Sequence, residues 1–310
     1  MTDSSHSIAQ RNHIATRCIC CRGDRLNRSP AILMPFVAYR AFGWEPVKVT
    51  EEWGLRDIRP GYAYPLCNSV QCADCGAMFV DIRFDDAEVA ALYADYRGEA
   101  YTELRERFEP GYKARNQIYL GGSPYIPKIE GFLDRHIPAQ PRVLDWGGDT
   151  GRNTPFRGRC ALHHVYDVSG KMLVAGARRV DKATMSATEY DLIVFSNVLE
   201  HVPHPIDTLT EIASQMREQT TLYIEVPHED LMRRNPGKLD LYRQRKHWHE
   251  HINFFSEASL EPMLRASGLE PVEIDEITME AGGRQGYVFA IVAKRCLSTA
   301  ATAALELAFA

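Results

Sequence analysis

The chain has no apolar run approaching the ~20 residues that a membrane-spanning helix needs. Its opening MTDSSHSIAQRNH has neither the apolar core nor the small-residue cleavage site of a secretory leader. It also has no surplus of basic charge. Thirty-six Lys+Arg stand against 41 Asp+Glu, a formal charge of −5, which argues against a dedicated nucleic-acid binder with its basic stripe. These absences point to the cytoplasm, where thiols stay reduced, so the eight cysteines read as metal ligands or free thiols before disulfides. What is present is ordinary globular material, 310 residues with 45% hydrophobic content, long enough for one large domain and a smaller one.

The cysteines carry the first chemical signal. Cys18-Ile19-Cys20-Cys21 is answered by Cys72-Ala73-Asp74-Cys75-Gly76. Two C-x-x-C pairs supply four thiolates, Cys18, Cys21, Cys72 and Cys75, suited to tetrahedral Zn²⁺. Gly76 fits the sharp turn such a knuckle needs. Cys20 and Cys67 are near enough in sequence to substitute as ligands, and Cys160 and Cys296 read as packing residues. Residues 1–80 hold nine Lys+Arg against seven Asp+Glu, so a scaffold is the expected role of this lobe rather than a nucleic-acid finger.

The expected organisation is a flexible tail over 1–16, a zinc-binding lobe over 17–82, a helical linker or lid over 83–122, an α/β domain over 123–295 and a tail over 296–310. Asp86 is placed to cap a helix through Tyr93. The tyrosine-rich stretch beyond it, with Tyr96, Tyr101 and Tyr112, reads equally as a cover over the later site or as a solvated linker. A helix is expected from about Ser123 to His136.

Val143-Leu144-Asp145-Trp146-Gly147-Gly148-Asp149-Thr150-Gly151 then has the form of a buried parallel strand running into a turn whose backbone passes close to a ligand. A second apolar strand ends at Asp167, 22 residues after Asp145, where an acid can accept both hydroxyls of a ribose. The spacing predicts a helix over Gly170–Arg178 and a short third strand at Lys182–Met185. A fourth strand, Asp191 to Ser196, exits into Asn197-Val198-Leu199-Glu200-His201-Val202. A helix over Pro205–Met216, a strand over Thr221–Val226, a helix to about Ser267 and two closing strands complete the pattern.

The motifs VLDWGGDTG, Asp167 and YDLIVFSNVLEHVPHP resemble those of class I S-adenosylmethionine-dependent methyltransferases. The resemblance implies a Rossmann-like seven-stranded sheet with one antiparallel strand, and S-adenosylmethionine across the strand tips. Carried onto this chain, the donor-binding residues are Asp145, Gly147, Gly148, Asp149, Gly151, Asp167, Asn197 and Val198. One position departs from the family's D-x-G-x-G-x-G: Asp149 stands where the middle glycine falls. If φ is positive there, an aspartate costs on the order of 1 kcal/mol.

Beyond the fifth strand lies a basic loop, Arg233 to Lys246, with six cations and one acid. It reads as a solvated face or as a holder of substrate phosphates. It leads into His247-Trp248-His249-Glu250-His251. A histidine near neutrality can remove an acceptor's proton, and His251, Glu250 and His201 are the catalytic candidates. The four-cysteine lobe together with W-H-E-H resembles the zinc-containing sugar C-methyltransferases of nucleotide-linked sugars, whose motif is Y-x-E-H. Glu250 and His251 match it, Trp248 replaces the tyrosine, and the chain lacks that family's extra C-terminal domain. The reading is methyl transfer to a hydroxyl or carbon of a sugar-like small molecule, possibly nucleotide-linked, with S-adenosylmethionine as cofactor and Zn²⁺ as a structural metal, and with no membrane or nucleic-acid partner. The alternatives are an RNA methyltransferase gripping its substrate through the lobe, and a non-catalytic zinc-organised interaction protein.

Overall fold

The computed structural model describes residues 13–53, 61–281 and 284–296. Most of the expected N-terminal tail and the C-terminal tail from residue 297 lie outside the described residues.

In chain order the N-terminal part comprises β1 (Leu26–Leu33), α1 (Pro35–Phe42), a ribbon of β2 (Val47–Val49) and β3 (Gly61–Ala63), β4 (Leu66–Cys72) and β5 (Met78–Val80). Three helices follow, α2 (Asp86–Tyr93), α3 (Glu99–Phe108) and α4 (Tyr112–Leu120). Asp85 begins α2 by accepting from the Glu88 amide at 2.8 Å, while Glu88 returns a bond to the Asp85 amide at 2.9 Å. The helix therefore opens one residue earlier than the sequence suggested, on a reciprocal cap. The helix expected over Ser123–His136 is shorter, α5 (Ile126–Leu133), with a 3-10 turn to His136.

The remaining elements are β6 (Arg142–Trp146), β7 (Leu162–Tyr166), β8 (Arg178–Arg179), α6 (Lys182–Ser186), β9 (Leu192–Ser196), α7 (Pro205–Gln215), β10 (Thr221–Pro227), α8 (Asp230–Arg233), β11 (His247–Trp248), β12 (Asn253–Phe254), α9 (Glu257–Ala266), β13 (Leu269–Ala281) and β14 (Arg284–Arg295). Seven of the strands form one sheet in the order β13-β14-β10-β9-β6-β7-β8. Five are parallel from β10 to β8, and β14 runs antiparallel between β10 and β13. The central strands are covered on both faces: Val143 and Leu144 of β6 and Leu192 and Ile193 of β9 have no exposed surface. This is why they read as continuous apolar runs rather than alternating ones. Each such side chain contributes roughly 1.5–3 kcal/mol of burial. The order reverses at β6, and the crevice beyond the carboxyl ends of β6 and β9 is where ligands of such sheets bind.

Two sequence expectations fail beside β7. Lys182–Met185 is not a strand but the start of α6, whose first turn is capped by Asp181 accepting from the Thr184 amide at 2.8 Å. The third strand is instead the two-residue β8. Nor is Gly170–Arg178 helical. Gly170 and Gly176 take φ of 70° and 85°, and the Val174 amide donates to Thr150 O at 2.9 Å rather than to a helical carbonyl. Two left-handed glycines and an outside acceptor break the helical ladder that periodicity alone suggested.

The second sheet, in the order β11-β1-β4-β5-β12, changes how the N-terminal lobe is understood. Its core strands come from residues 26–80, but both edges come from the segment carrying the histidines. β11 pairs in parallel with β1, and β12 pairs antiparallel with β5. The segment between these edges, His249 to Ile252, is thereby held against both parts of the molecule. Arg83 fixes it further, donating to Val80 O at 2.6 Å, Pro203 O at 3.1 Å and Asn253 Oδ1 at 2.8 Å. Among the described residues no helix is long and apolar enough to cross a membrane.

Candidate functional site

The two C-x-x-C pairs fold into matching knuckles. After the second sulfur of each comes a left-handed residue, Arg22 at φ 59° and Gly76 at φ 76°. Their amides close the turns, Arg22 onto Cys18 O and Gly76 onto Cys72 O, both at 3.0 Å. The Cys20 and Asp74 amides each point at the first sulfur of the pair at 3.4 Å. Cys18 and Cys75 sulfurs stand 3.5 Å apart, Cys21 and Cys72 3.6 Å, and all four lie within 4.8 Å of one another. Four thiolates around one tetrahedral zinc are about 3.8 Å apart, so the cluster is of the size that holds a metal ion. Cys20 and Cys67 are buried outside it.

At the tip of β6 the glycine turn is shaped by three close approaches. Gly147 has φ 79°, and a side chain there would meet Val198 Cγ2 at 2.6 Å; one at Gly148 would meet the Asp145 carboxylate at 2.3–2.8 Å. Gly151, at φ 73°, backs onto His163 and Val165. Asp145 is 5% exposed and accepts from the Thr154 hydroxyl, which is held in turn by His163 Nε2 at 2.8 Å. Burial pushes its carboxyl up to about 7, with the Thr154 bond opposing. It braces the turn from beneath.

Asp149 sits at φ 52°, the left-handed conformation the missing glycine would have supplied. Its carboxylate turns to Lys171, 3.2 Å away, and to the Ser169 hydroxyl at 3.3 Å. Asp167, at the tip of β7, accepts from the Asp149 amide at 2.9 Å and from the Ser169 amide at 2.7 Å. Both oxygens are thus oriented and keep lone pairs for a diol. At the tip of β9, Asn197 is also left-handed, φ 54°. Its side-chain amide bonds Ser196 and Glu225. Glu225, a lone acid inside the apolar strand β10, is 1% exposed. It also accepts from Tyr125 and Tyr223 at 2.7 Å and from Ser196 at 2.9 Å. Its position in TLYIEVP is the signal that the sequence carries, since an acid inside a buried strand needs such partners.

The histidines meet above the neighbouring strand ends. His201 and His251 rings are 4.8 Å apart and His249 lies 5.0 Å from His251. His251 Nδ1 is 2.8 Å from Glu229 Oε1, so that nitrogen carries a proton and Nε2 is left for other work. Burial opposes the charged ring, yet the Glu229 bond and the Glu200 charge lift His251 above its ordinary value. Glu229 is correspondingly lowered, against burial, by His251. His201 differs. Its Nδ1 lies 2.8 Å from both the Glu250 carbonyl and the Tyr93 hydroxyl. A carbonyl only accepts, so Nδ1 holds the proton and the Nε2 lone pair faces Glu200 Oε1 at 3.7 Å. Burial and the nearby His251 push His201 down to about 3. Glu200 is 1% exposed, with Oε2 lacking any partner, and burial pushes it up to about 7. Ligand atoms of Glu200, His201 and His251 all lie within 4.8 Å.

Glu250 is placed otherwise than a proton carrier. Arg105, from α3, grips it with two contacts of 2.7 and 2.8 Å. Although burial works the other way, this pairing holds the carboxyl down at about 2. Arg105, from the tyrosine-rich segment, and Tyr93, at the end of α2, are contributions that composition did not reveal. Trp248 is wholly buried, its indole N–H donating to Ser69 Oγ at 2.7 Å. It occupies the core, and an indole has no proton to exchange at neutral pH.

A strand order reversing at β6, a glycine turn, a strand-tip acid and a histidine cluster across the crevice define an α/β enzyme that takes a nucleoside-bearing cofactor. The family model described as methyltransferase domain matches residues 94–274, more than half of the chain. The chain belongs to that family and is an S-adenosylmethionine-dependent methyltransferase. Nothing among curated proteins matches it. Among solved structures it is similar to the 1,6-didemethyltoxoflavin-N1-methyltransferase of Burkholderia thailandensis, with 19% identity over 62% of this chain and 87% of that one and a TM-score of 0.44. It is also similar to a methyltransferase of calicheamicin biosynthesis, with 15% identity over 64% and 60% of the two chains and a TM-score of 0.42. A third is the magnesium protoporphyrin IX methyltransferase of Synechocystis, with 17% identity over 60% and 88% and a TM-score of 0.38.

Proposed function

We propose that the chain methylates a hydroxyl or carbon of a sugar-like polar metabolite, possibly nucleotide-linked, with His251 removing the acceptor's proton. The donor supplies an electrophilic methyl group on a sulfonium. The residues of the turn fit its nucleoside end: Gly147 and Gly148 leave backbone where a side chain would collide, and Asp167 presents an oriented carboxylate. Asp149, turned to Lys171, Asn197 and Val198 line the same crevice, while Asp145 supports it.

The observation that carries the mechanism is the His251–Glu229 pair, 2.8 Å long, at the carboxyl edge of β10. Glu229 holds Nδ1–H and so aims the Nε2 lone pair outward. The acceptor's proton passes to Nε2, its bonding electrons remain on the acceptor atom, and the resulting imidazolium lies between the carboxylates of Glu229 and Glu200. His201, kept neutral, walls the pocket with Tyr93, and Glu250 anchors the segment to Arg105. A positioned base contributes roughly 10²–10⁴-fold. His251→Ala is expected to lower turnover by about that factor while leaving S-adenosylhomocysteine binding intact. Near-normal turnover would remove His251 from this role.

The cysteine cluster, in this reading, holds one structural Zn²⁺, and its thiolates suit a cytoplasmic protein. The close grouping of Glu200, His201 and His251 favours one second reading, in which they bind a divalent cation beside the acceptor. Stimulation of the zinc-loaded enzyme by Mn²⁺, lost in Glu200→Gln, would select it.

A further inference from the structure

Glu225 interrupts an otherwise apolar stretch of β10. Its neighbours Ile224 and Val226 have no exposed surface, and the acid itself is 1% exposed. Burying a carboxylate this deeply is unfavourable, and an apolar side chain of similar volume often serves stability as well or better, so packing alone does not account for it. Four donors meet there. Tyr125, just before α5, and Tyr223 of β10 donate at 2.7 Å, Ser196 of β9 donates at 2.9 Å, and the Asn197 side-chain amide completes the set. Glu225 accepts from all four, as an ionised carboxylate does.

The partner with a consequence for the crevice is Asn197. It stands at the tip of β9 with φ 54°, a costly conformation for a residue with a side chain, and one that persists only where the surroundings enforce it. Glu225 enforces it twice. Its carbonyl accepts from the Asn197 backbone amide at 2.9 Å, and its carboxylate takes one hydrogen of Nδ2 while Ser196 Oγ takes the other at 3.0 Å. With both hydrogens held from below, the amide cannot flip, and Oδ1 is fixed as its free end. Among the described residues Oδ1 accepts no hydrogen bond, and it is not sealed from solvent. The next residue, Val198, sets this tip against the glycine turn, its Cγ2 lying 2.6 Å from where a side chain on Gly147 would begin. A carbonyl oxygen backed by a buried carboxylate therefore stands at the carboxyl end of β9, beside the turn. Hydrogen-bonded groups aligned in this way polarise one another and strengthen the negative end.

We infer that Glu225 is a positioning residue for the donor, fixing Asn197 with its Oδ1 free at the crevice and selecting the cationic sulfonium over the neutral thioether product. This deepens the donor-site reading and rests on it. When the methyl group passes to the acceptor, the sulfur keeps the bonding pair and loses its positive charge. The attraction then disappears, and the spent product leaves more readily.

The test is calorimetric titration of the full-length, zinc-loaded protein with S-adenosylmethionine, with sinefungin, which carries an amine in place of the sulfonium, and with neutral S-adenosylhomocysteine. Glu225→Gln keeps the volume and removes the charge. It is expected to weaken both cationic ligands about tenfold, the scale of a nearby unit charge screened as in proteins, while the neutral product changes less than about threefold. Glu225→Asp should retain part of the preference. Tyr223→Phe, which removes one bond to the acid and leaves its charge and Asn197 in place, should melt lower with the ratio of donor to product affinity unchanged. An unchanged ratio in Glu225→Gln would overturn the inference, as would an equal loss of all three ligands, either of which makes the acid purely structural. Should Glu225→Gln fail to fold, Asn197→Gly decides, because glycine accepts the left-handed tip without strain: a lowered ratio supports the inference and an unchanged one overturns it. Failure of the wild type to bind either donor or product would overturn the donor-site reading itself, and the first titration records that separately.

Discussion

Gly147→Ala probes the proposed donor turn with a magnitude that the structure sets. Two penalties arise. Gly147 has φ 79°, where an L side chain costs roughly 1–2 kcal/mol. The new methyl would also lie 2.6 Å from Val198 Cγ2, whereas ordinary contact begins at 3.4 Å, so Val198 must retreat by 3.4 − 2.6 = 0.8 Å. Such overpacking costs about 1–3 kcal/mol. Val198 opens the turn that carries Glu200 and His201, so its displacement is transmitted to the acceptor side. Gly43 supplies the control, because it has φ 68° with nothing within 4 Å of an added methyl. Gly43→Ala should therefore show the conformational penalty alone. Differential scanning calorimetry and titration with S-adenosylhomocysteine would read both variants. Gly147→Ala should be the less stable by about 1–3 kcal/mol and bind the product at least tenfold more weakly, while Gly43→Ala binds it normally. Trimming the opposing side chain in Gly147→Ala/Val198→Ala should recover part of the loss. Equal stability and equal product affinity in the two single variants would refute the account of the turn.

Three further outcomes are expected. Glu250 is held at about 2 against an ordinary 4.5, so its pairing with Arg105 supplies on the order of 3 kcal/mol; a depressed carboxyl loses this as pH falls from about 4.5 towards 2, and thermal midpoints of Glu250→Gln should therefore fall less steeply with acid than those of wild type. The His251 ring is lifted above its ordinary value by Glu229, so activity should rise with pH through that raised value, and Glu229→Gln should move the rising limb to lower pH; an unmoved limb would separate the pair from proton transfer. Its stabilising effect has the opposite sense, present below the unfolded value and lost as pH climbs through the folded one. Elemental analysis should find about one zinc per chain, and Cys72→Ser should lose the metal and melt lower; a metal-free wild type of unchanged stability would remove zinc from the account.

Much of the geometry of the proposed donor side was legible because it is local. A buried parallel strand, its glycine turn and an acid at the next strand tip are adjacent in sequence, and their constraints are steric. Even the awkward Asp149 announced a left-handed position before the fold placed it at φ 52°. The errors beside β7 were also local in origin. Helical periodicity and a short apolar stretch carried too little information against two glycines and an Asp181 cap.

The proposed acceptor side was legible only in part, because its partners come from distant segments. W-H-E-H marked the histidines, but nothing in the chain order showed that Glu229 would take His251, that Arg105 would neutralise Glu250 or that Glu200 would be left half-unpartnered. Likewise the two C-x-x-C pairs announced four thiolates, yet only tertiary pairing revealed that β11 and β12 close the same small sheet. Sequence alone determined which residue types stand at strand tips and knuckles, since backbone geometry there admits few others. The division of labour among the charged groups was decided by the fold, because burial and pairing at 2.7–3.7 Å set which carboxylate is an anchor and which histidine keeps its lone pair.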